Sequence, residues 1–189
     1  MIVTNRALST VAPGDSSVRH IRKSRKTMYT NQHIFLDISG KQHSLEEVVD
    51  RIRLFIADKP RERYQIIIGS DSHPAEEVRF VTAITIRRIG NGGIYFWTRS
   101  SPERCHALRD RIYREAMHSI TLAQELRGRL KEKLGDEYFW NDQVHIDVGE
   151  RGATRDLIPG VVGMVTGFGF EAVIKPDAFG ACVVADRHT

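Results

Sequence analysis

Four carboxylates, Asp71, Glu115, Asp147 and Asp177, stand where a carboxylate is awkward for folding. Asp71 closely follows the β-rich run Tyr64-Gln-Ile-Ile-Ile68, and Asp147 is set between Ile146 and Val148. Glu115 comes three residues after Ile112 and seven after Leu108, on the apolar stripe of a predicted helix. Asp177 stands at the start of another. An ionised carboxylate among apolar side chains is prohibitively costly unless it pairs, takes a proton or binds a cation. Converging carboxylates cannot pair with one another, so a divalent ion is the natural neutraliser. Oxygen-only ligands favour Mg²⁺ or Mn²⁺, and two such ions side by side activate water and stabilise the leaving oxygen in phosphodiester cleavage. Each residue also has an ordinary structural reading. Asp71 suits a turn, Glu115 suits a surface pair with Arg111 or Arg114, and Asp177 suits a helix N-cap. The conjunction of the four is stronger than its parts.

The elements that must position these groups follow from periodicity. His33–Ile38 reads as a short strand, and Ser44-Leu-Glu-Glu47 is a capping box before Val48, Val49, Ile52 and Ile56, predicting a helix to Ala57 that stops before Pro60. Three strands in meander order come next: Tyr64–Ile68 leading into Gly69-Ser-Asp-Ser-His73, then Phe80–Ile86, then Ile94–Thr98 beyond the Asn91-Gly-Gly93 turn. The period then changes to helical from Ser101-Pro102 to Gly135. A strand at Val144–Val148, a helix from Asp156 through Val165, a strand at Ala172–Lys175 and a closing helix from Pro176-Asp177 through Ala185 complete the chain. The order β-β-β-α-β-α-β-α predicts an α/β fold with a mixed five-stranded sheet, three antiparallel strands then parallel ones, and helices on both faces.

Further polar residues border the four carboxylates. His73 is placed for a proton shuttle or for a hydrogen-bond donor behind the metal ligands, or is a solvated turn histidine. His188 is placed to assist leaving-group protonation, or belongs to a solvated end. Asp186 competes with Asp177 for the fourth carboxylate. Nine residues put them about 180° apart on an ideal helix, which argues against both facing one ion pair and favours Asp177 at the strand-to-helix junction, with the choice left open. Glu150, with Arg151 and Arg155, is placed for phosphate contact or for surface pairing, while Asp156 caps a helix. Gly160, Gly163, Gly167 and Gly169 lack the arrangement of an ATP-binding loop, and the helical spacing of the first three points to close helix-on-sheet packing. Trp97 and Trp140 read as core or edge packing.

The order and spacing of these motifs resemble the ribonuclease H-like superfamily. More closely, Ile68-Gly-Ser-Asp-Ser-His73, His145-Ile-Asp-Val-Gly-Glu150, Thr154-Arg-Asp-Leu-Ile-Pro-Gly160 and Lys175-Pro-Asp-Ala178 resemble the bacterial YkuK-like family of that superfamily, over about residues 29–189. The resemblance implies that Asp71 and Asp147 hold Mg²⁺ or Mn²⁺, that Glu115 ligates one ion from the helix, and that Asp177 completes a second site. It implies a nuclease acting on RNA or DNA through two ions. The 136–143 segment carries no basic, tryptophan-bearing substrate handle, so an RNA/DNA hybrid is not singled out. Two other readings stay open: an inactive nucleic-acid-binding or interaction module on the same fold, and a metal phosphoesterase for a small molecule.

Charge is unevenly distributed. The 189 residues carry a formal net charge of +4, yet residues 1–27 hold six basic side chains and one acid, leaving the remainder at −1. With few large apolar residues, this basic N-terminal extension is expected to be disordered. It reads as an incidental extension before a start at Met28, a phosphate-contacting arm, or a targeting segment. Residues 28–189 are expected to form one domain, with 28–60 as a strand-helix lead-in and 61–189 as the core. No apolar run reaches the length of a membrane span. Cys105 and Cys182 lack metal-binding spacing, so a reducing cytoplasm is the expected compartment.

Overall fold

The computed structural model describes residues 33–135 and 142–189; the N-terminal extension, Met28 and Trp140 lie outside the described residues. A single seven-stranded sheet forms the centre, in the order β2-β1-β5-β4-β3-β6-β7. The strands are β1 (Phe35–Asp37), β2 (Gln42–His43), β3 (Tyr64–Asp71), β4 (Val81–Arg88), β5 (Gly93–Arg99), β6 (Asp142–His145) and β7 (Glu171–Val173). β3, β4 and β5 pair antiparallel, whereas β3–β6 and β6–β7 are parallel. This is the predicted mixed topology, with seven strands in place of five. The lead-in chain joins the sheet because β1 pairs antiparallel with β5 and turns back on itself as β2.

Helices α1 (Leu45–Asp58), α2 (Leu108–Leu134) and α3 (Ile158–Gly167) cover one face. The capping box at α1 is complete: Ser44 N–H donates to Glu47 Oε2 at 2.7 Å and Glu47 N–H to Ser44 Oγ at 3.2 Å. Val48, Val49, Ile52 and Ile56 are buried against Ile66, Ile68, Ile84 and Ile86 of the sheet. Each such side chain contributes about 1.5–3 kcal/mol relative to exposure. Alternation along β3 sends Ile66, Ile68 and Ser70 to this helical face and Ile67 and Asp71 to the other.

α2 begins six residues later than its Pro102 signal suggested. Glu103 is held extended by two backbone hydrogen bonds to Val78, both 2.8 Å, and its carboxylate takes Arg114 at 2.8 Å and His118 at 3.0 Å. Gly135 ends the helix at φ 80°. The opposite face of the sheet is covered by a short π-helix, Gly180–Ala185, and a 3₁₀ turn, Asp186–His188. Ala185 packs there with Val81 and Ala83. The predicted closing α-helix from Asp177 is thus replaced by a turn through Lys175-Pro176-Asp177, with a cis peptide before Pro176, and then the π-helix. Glycine spacing in α3 has a different cause from the one predicted. A Cβ on Gly160 would fall 1.9 Å from the Tyr113 hydroxyl of α2, so that contact is helix on helix, and Gly163 and Gly167 have nothing within 4 Å. No helix among the described residues is long and apolar enough to cross a membrane.

Candidate functional site

Asp71 is the last residue of β3 and is 9% exposed. Burial is the main cause that lifts its carboxyl to about 6, helped by Asp147 and Asp186; the Ser72 N–H and His73 pull the other way. Glu115 projects from α2 and is 2% exposed. Its Oε1 accepts from Ser72 Oγ at 2.6 Å and lies 3.8 Å from Arg111 Nε. Its Oε2 is buried with no hydrogen-bond partner among the described residues. Burial, then Asp71 and Asp147, raise this carboxyl to about 8 against the pull of Ser72 and Arg111. Below it, Ser119 Oγ lies 2.8 Å from Ser70 Oγ, which lies 2.8 Å from Thr82 Oγ1. This polar column fixes α2 against β3 and β4, and with it the reach of Glu115.

β6 ends at His145, so Asp147 sits just past the strand instead of within it. Lys175 Nζ meets Asp147 Oδ1 at 2.7 Å. The fourth carboxylate near Asp71 is Asp186, whereas Asp177 is exposed in the turn before the π-helix and acts electrostatically on His145. Asp177 lies outside the helix and the helix is not α, so the ideal 180° spacing does not relate the two residues. One ligand atom each from Asp71, His73 and Asp186 lie within 4.8 Å of one another.

Docking of the π-helix sets the position of Asp186. Gly180 N–H donates to His145 Nδ1 at 3.0 Å, so the neutral ring carries its proton on Nε2, 3.1 Å from Gln143 Oε1. Burial lowers His145 to about 4, which keeps that ring neutral. A Cβ on Gly180 would stand 2.5 Å from Ile67 Cγ2 and 3.2 Å from His145 Nδ1. Gly180→Ala is therefore expected to destabilise the chain by about 1–3 kcal/mol in equilibrium denaturation. An unchanged midpoint would overturn this account of the packing.

The remaining candidates separate. His188 lies flat on Trp97, with ring centroids 4.4 Å apart, and its carbonyl accepts from Arg99. The stack ties the 3₁₀ turn to β5, where Trp97 packs against the small cluster of Val81, Ala83 and Ala185. Glu150 and Arg151 line a cleft of about 790 Å³ with Gly149, Lys175, Pro176 and Asp177. Arg155 is exposed at the start of the 3₁₀ turn before α3. Lys175, two residues past the end of β7, was not singled out from sequence; its place in the Lys175-Pro-Asp-Ala178 motif was the signal.

A sheet of this order with acidic side chains gathered at the carboxyl end of β3 defines a ribonuclease H-like domain. Residues 47–189 match the family described as Ribonuclease H-like. The chain is 32% identical over 166 residues to the uncharacterized protein YkuK of Bacillus subtilis (strain 168), a span covering 82% of this chain and 96% of YkuK. The chain belongs to the ribonuclease H-like superfamily and, within it, to the YkuK-like family. No solved structure matches the chain at a significant level.

Proposed function

We propose that the protein is a divalent-cation-dependent nuclease hydrolysing phosphodiester bonds in RNA or DNA. The carrying observation is Glu115: a carboxylate 2% exposed, with one oxygen unpartnered among the described residues, repelled by Asp71 and Asp147. Burial at that level, with Arg111 reaching only the other oxygen, leaves Oε2 as a donor that a cation would satisfy.

The donor set fits such a cation. Asp71, Asp147 and Asp186 offer carboxylate oxygens, and Glu115 offers Oε2. A divalent cation held there supplies Lewis-acid activation of water and neutralises charge on the phosphate. The chain's own residues do the rest. Ser72 and Arg111 fix Glu115 by one of its oxygens, so the other has a set direction. Lys175 tempers the charge of Asp147. Lys175 and Arg151 line the adjoining cleft beside Glu150 and Asp177 and are its two cationic groups for phosphate oxygens.

The test is a cleavage screen of the purified protein over single-stranded, duplex, hybrid and branched nucleic acids with Mg²⁺ and Mn²⁺. Cleavage of at least one class, stopped by a chelator, is expected. Binding without cleavage in any arm would favour an inactive binding module, and activity confined to small phosphodiesters would favour a phosphoesterase.

A further inference from the structure

His73 stands outside the carboxylate set yet lies against it. It follows Asp71 by two residues along an extended segment, so both side chains lie on the side of the sheet covered by the π-helix. A ring nitrogen of His73 and oxygens of Asp71 and Asp186 fall within 4.8 Å of one another.

The hydrogen bonds around His73 decide its tautomer. Its Nε2 lies 3.0 Å from Thr189 Oγ1. The Thr189 hydroxyl hydrogen is already given to the Asp186 carbonyl at 2.8 Å, so Oγ1 can only accept from the ring. The neutral imidazole therefore carries its proton on Nε2 and keeps its lone pair on Nδ1. A histidine that donates one N–H to a fixed acceptor and leaves the other nitrogen bare is arranged as metal-binding histidines are. The acceptor here is itself tied to Asp186, another member of the cluster. A second observation is Glu115 Oε2, nearly fully buried, without a hydrogen-bond partner among the described residues, and on a carboxylate whose charge is coupled to that of Asp71.

We propose that His73 is a ligand, through Nδ1, of a cation held with Asp71 and Asp186, and that this nitrogen donor selects an ion of the Mn²⁺ class over Mg²⁺. Mg²⁺ demands near-ideal octahedral oxygen coordination, whereas imidazole suits the first-row transition ions. The proposal rests on the same cluster as the nuclease reading, and its test is read without cleavage.

Mn²⁺ is titrated into the full chain and bound ion is followed by electron paramagnetic resonance, with pulsed detection of ¹⁴N coupling from a coordinated imidazole. The wild type is expected to hold Mn²⁺ with ¹⁴N coupling. His73→Ala is expected to lose that coupling and weaken Mn²⁺ binding by about tenfold or more, while Mg²⁺ affinity measured by competition changes less than about threefold. His73→Gln, which keeps the side chain's bulk, is expected to lose the coupling as well. Mn²⁺ bound without ¹⁴N coupling in the wild type, coupling that persists in His73→Ala, or equal losses for both ions would overturn the proposal. Nitrogen-coupled Mn²⁺ in a protein that cuts nothing would sink the nuclease reading alone. Mn²⁺-dependent cleavage without nitrogen coupling would do the reverse.

Discussion

Asp71→Asn is expected to reduce cation-dependent phosphodiester cleavage by about 10³-fold or more while the fold survives. A cation contributes several kcal/mol to the transition state, and each 1.36 kcal/mol is a factor of ten in rate. Asp71 is buried at the end of β3, in the field of Asp147 and Asp186. The amide has the same shape, and losing the charge removes repulsion from Asp147 and Asp186 instead of adding strain. Asp147→Asn should act alike, with Lys175 losing the partner it holds at 2.7 Å. Initial rates under saturating cation, with circular dichroism to follow the fold, give the reading. Undiminished cleavage in either variant would remove the carboxylate cluster from the reaction.

Glu115→Gln is expected to make the cation-free protein more stable at alkaline pH. The folded chain keeps the Glu115 proton up to about pH 8, whereas an ordinary glutamate releases it near 4.5. Stability from this group is therefore complete below about pH 4.5 and is lost as pH rises through 8, a loss on the order of 4 kcal/mol. Asp71, raised to about 6 from 3.8, adds a smaller loss of the same sign at lower pH. His145, lowered to about 4 from 6.5, acts in the opposite sense, costing stability as pH falls below 6.5. The glutamine has nothing to ionise. Wild type and variant should melt at similar temperatures at pH 5, and the variant on the order of 10 °C higher at pH 9 without cation. Added Mn²⁺ should raise the wild type more than the variant. A variant that melts at or below the wild type at pH 9 would show that Glu115 bears no burial penalty.

Much of this arrangement is written locally. The Ser44–Glu47 capping box, the apolar run of β3, the Asn91-Gly92-Gly93 turn and the stripe that buries Glu115 are properties of short windows, and windows are what a sequence displays. The parts that escaped depend on distant partners. β2 is two residues long and exists only because β1 has β5 to lie against. The Pro102 helix signal yields to a backbone bridge between Glu103 and Val78, which no local pattern records. The place of Asp186 beside Asp71 depends on a short π-helix docked through Gly180 against Ile67 and His145, a distant contact that the local Pro176-Asp177 signal does not record. His73 was visible as a candidate, but its tautomer depends on Thr189, 116 residues away.

The margins of the sheet have a bearing on how these molecules behave in a crowd. One outer strand has two residues and the other has three. A passing extended chain finds almost no free ladder to continue at either side, which guards against edge-to-edge aggregation. The guard on one side is the lead-in hairpin itself. Without residues 33–44, the seven-residue β5, with Ile94, Phe96 and Trp97 along it, would become the margin. The segment that comes before the core motifs thus works as a seal on the sheet, and its loss would be felt first as a change in solubility, not in chemistry.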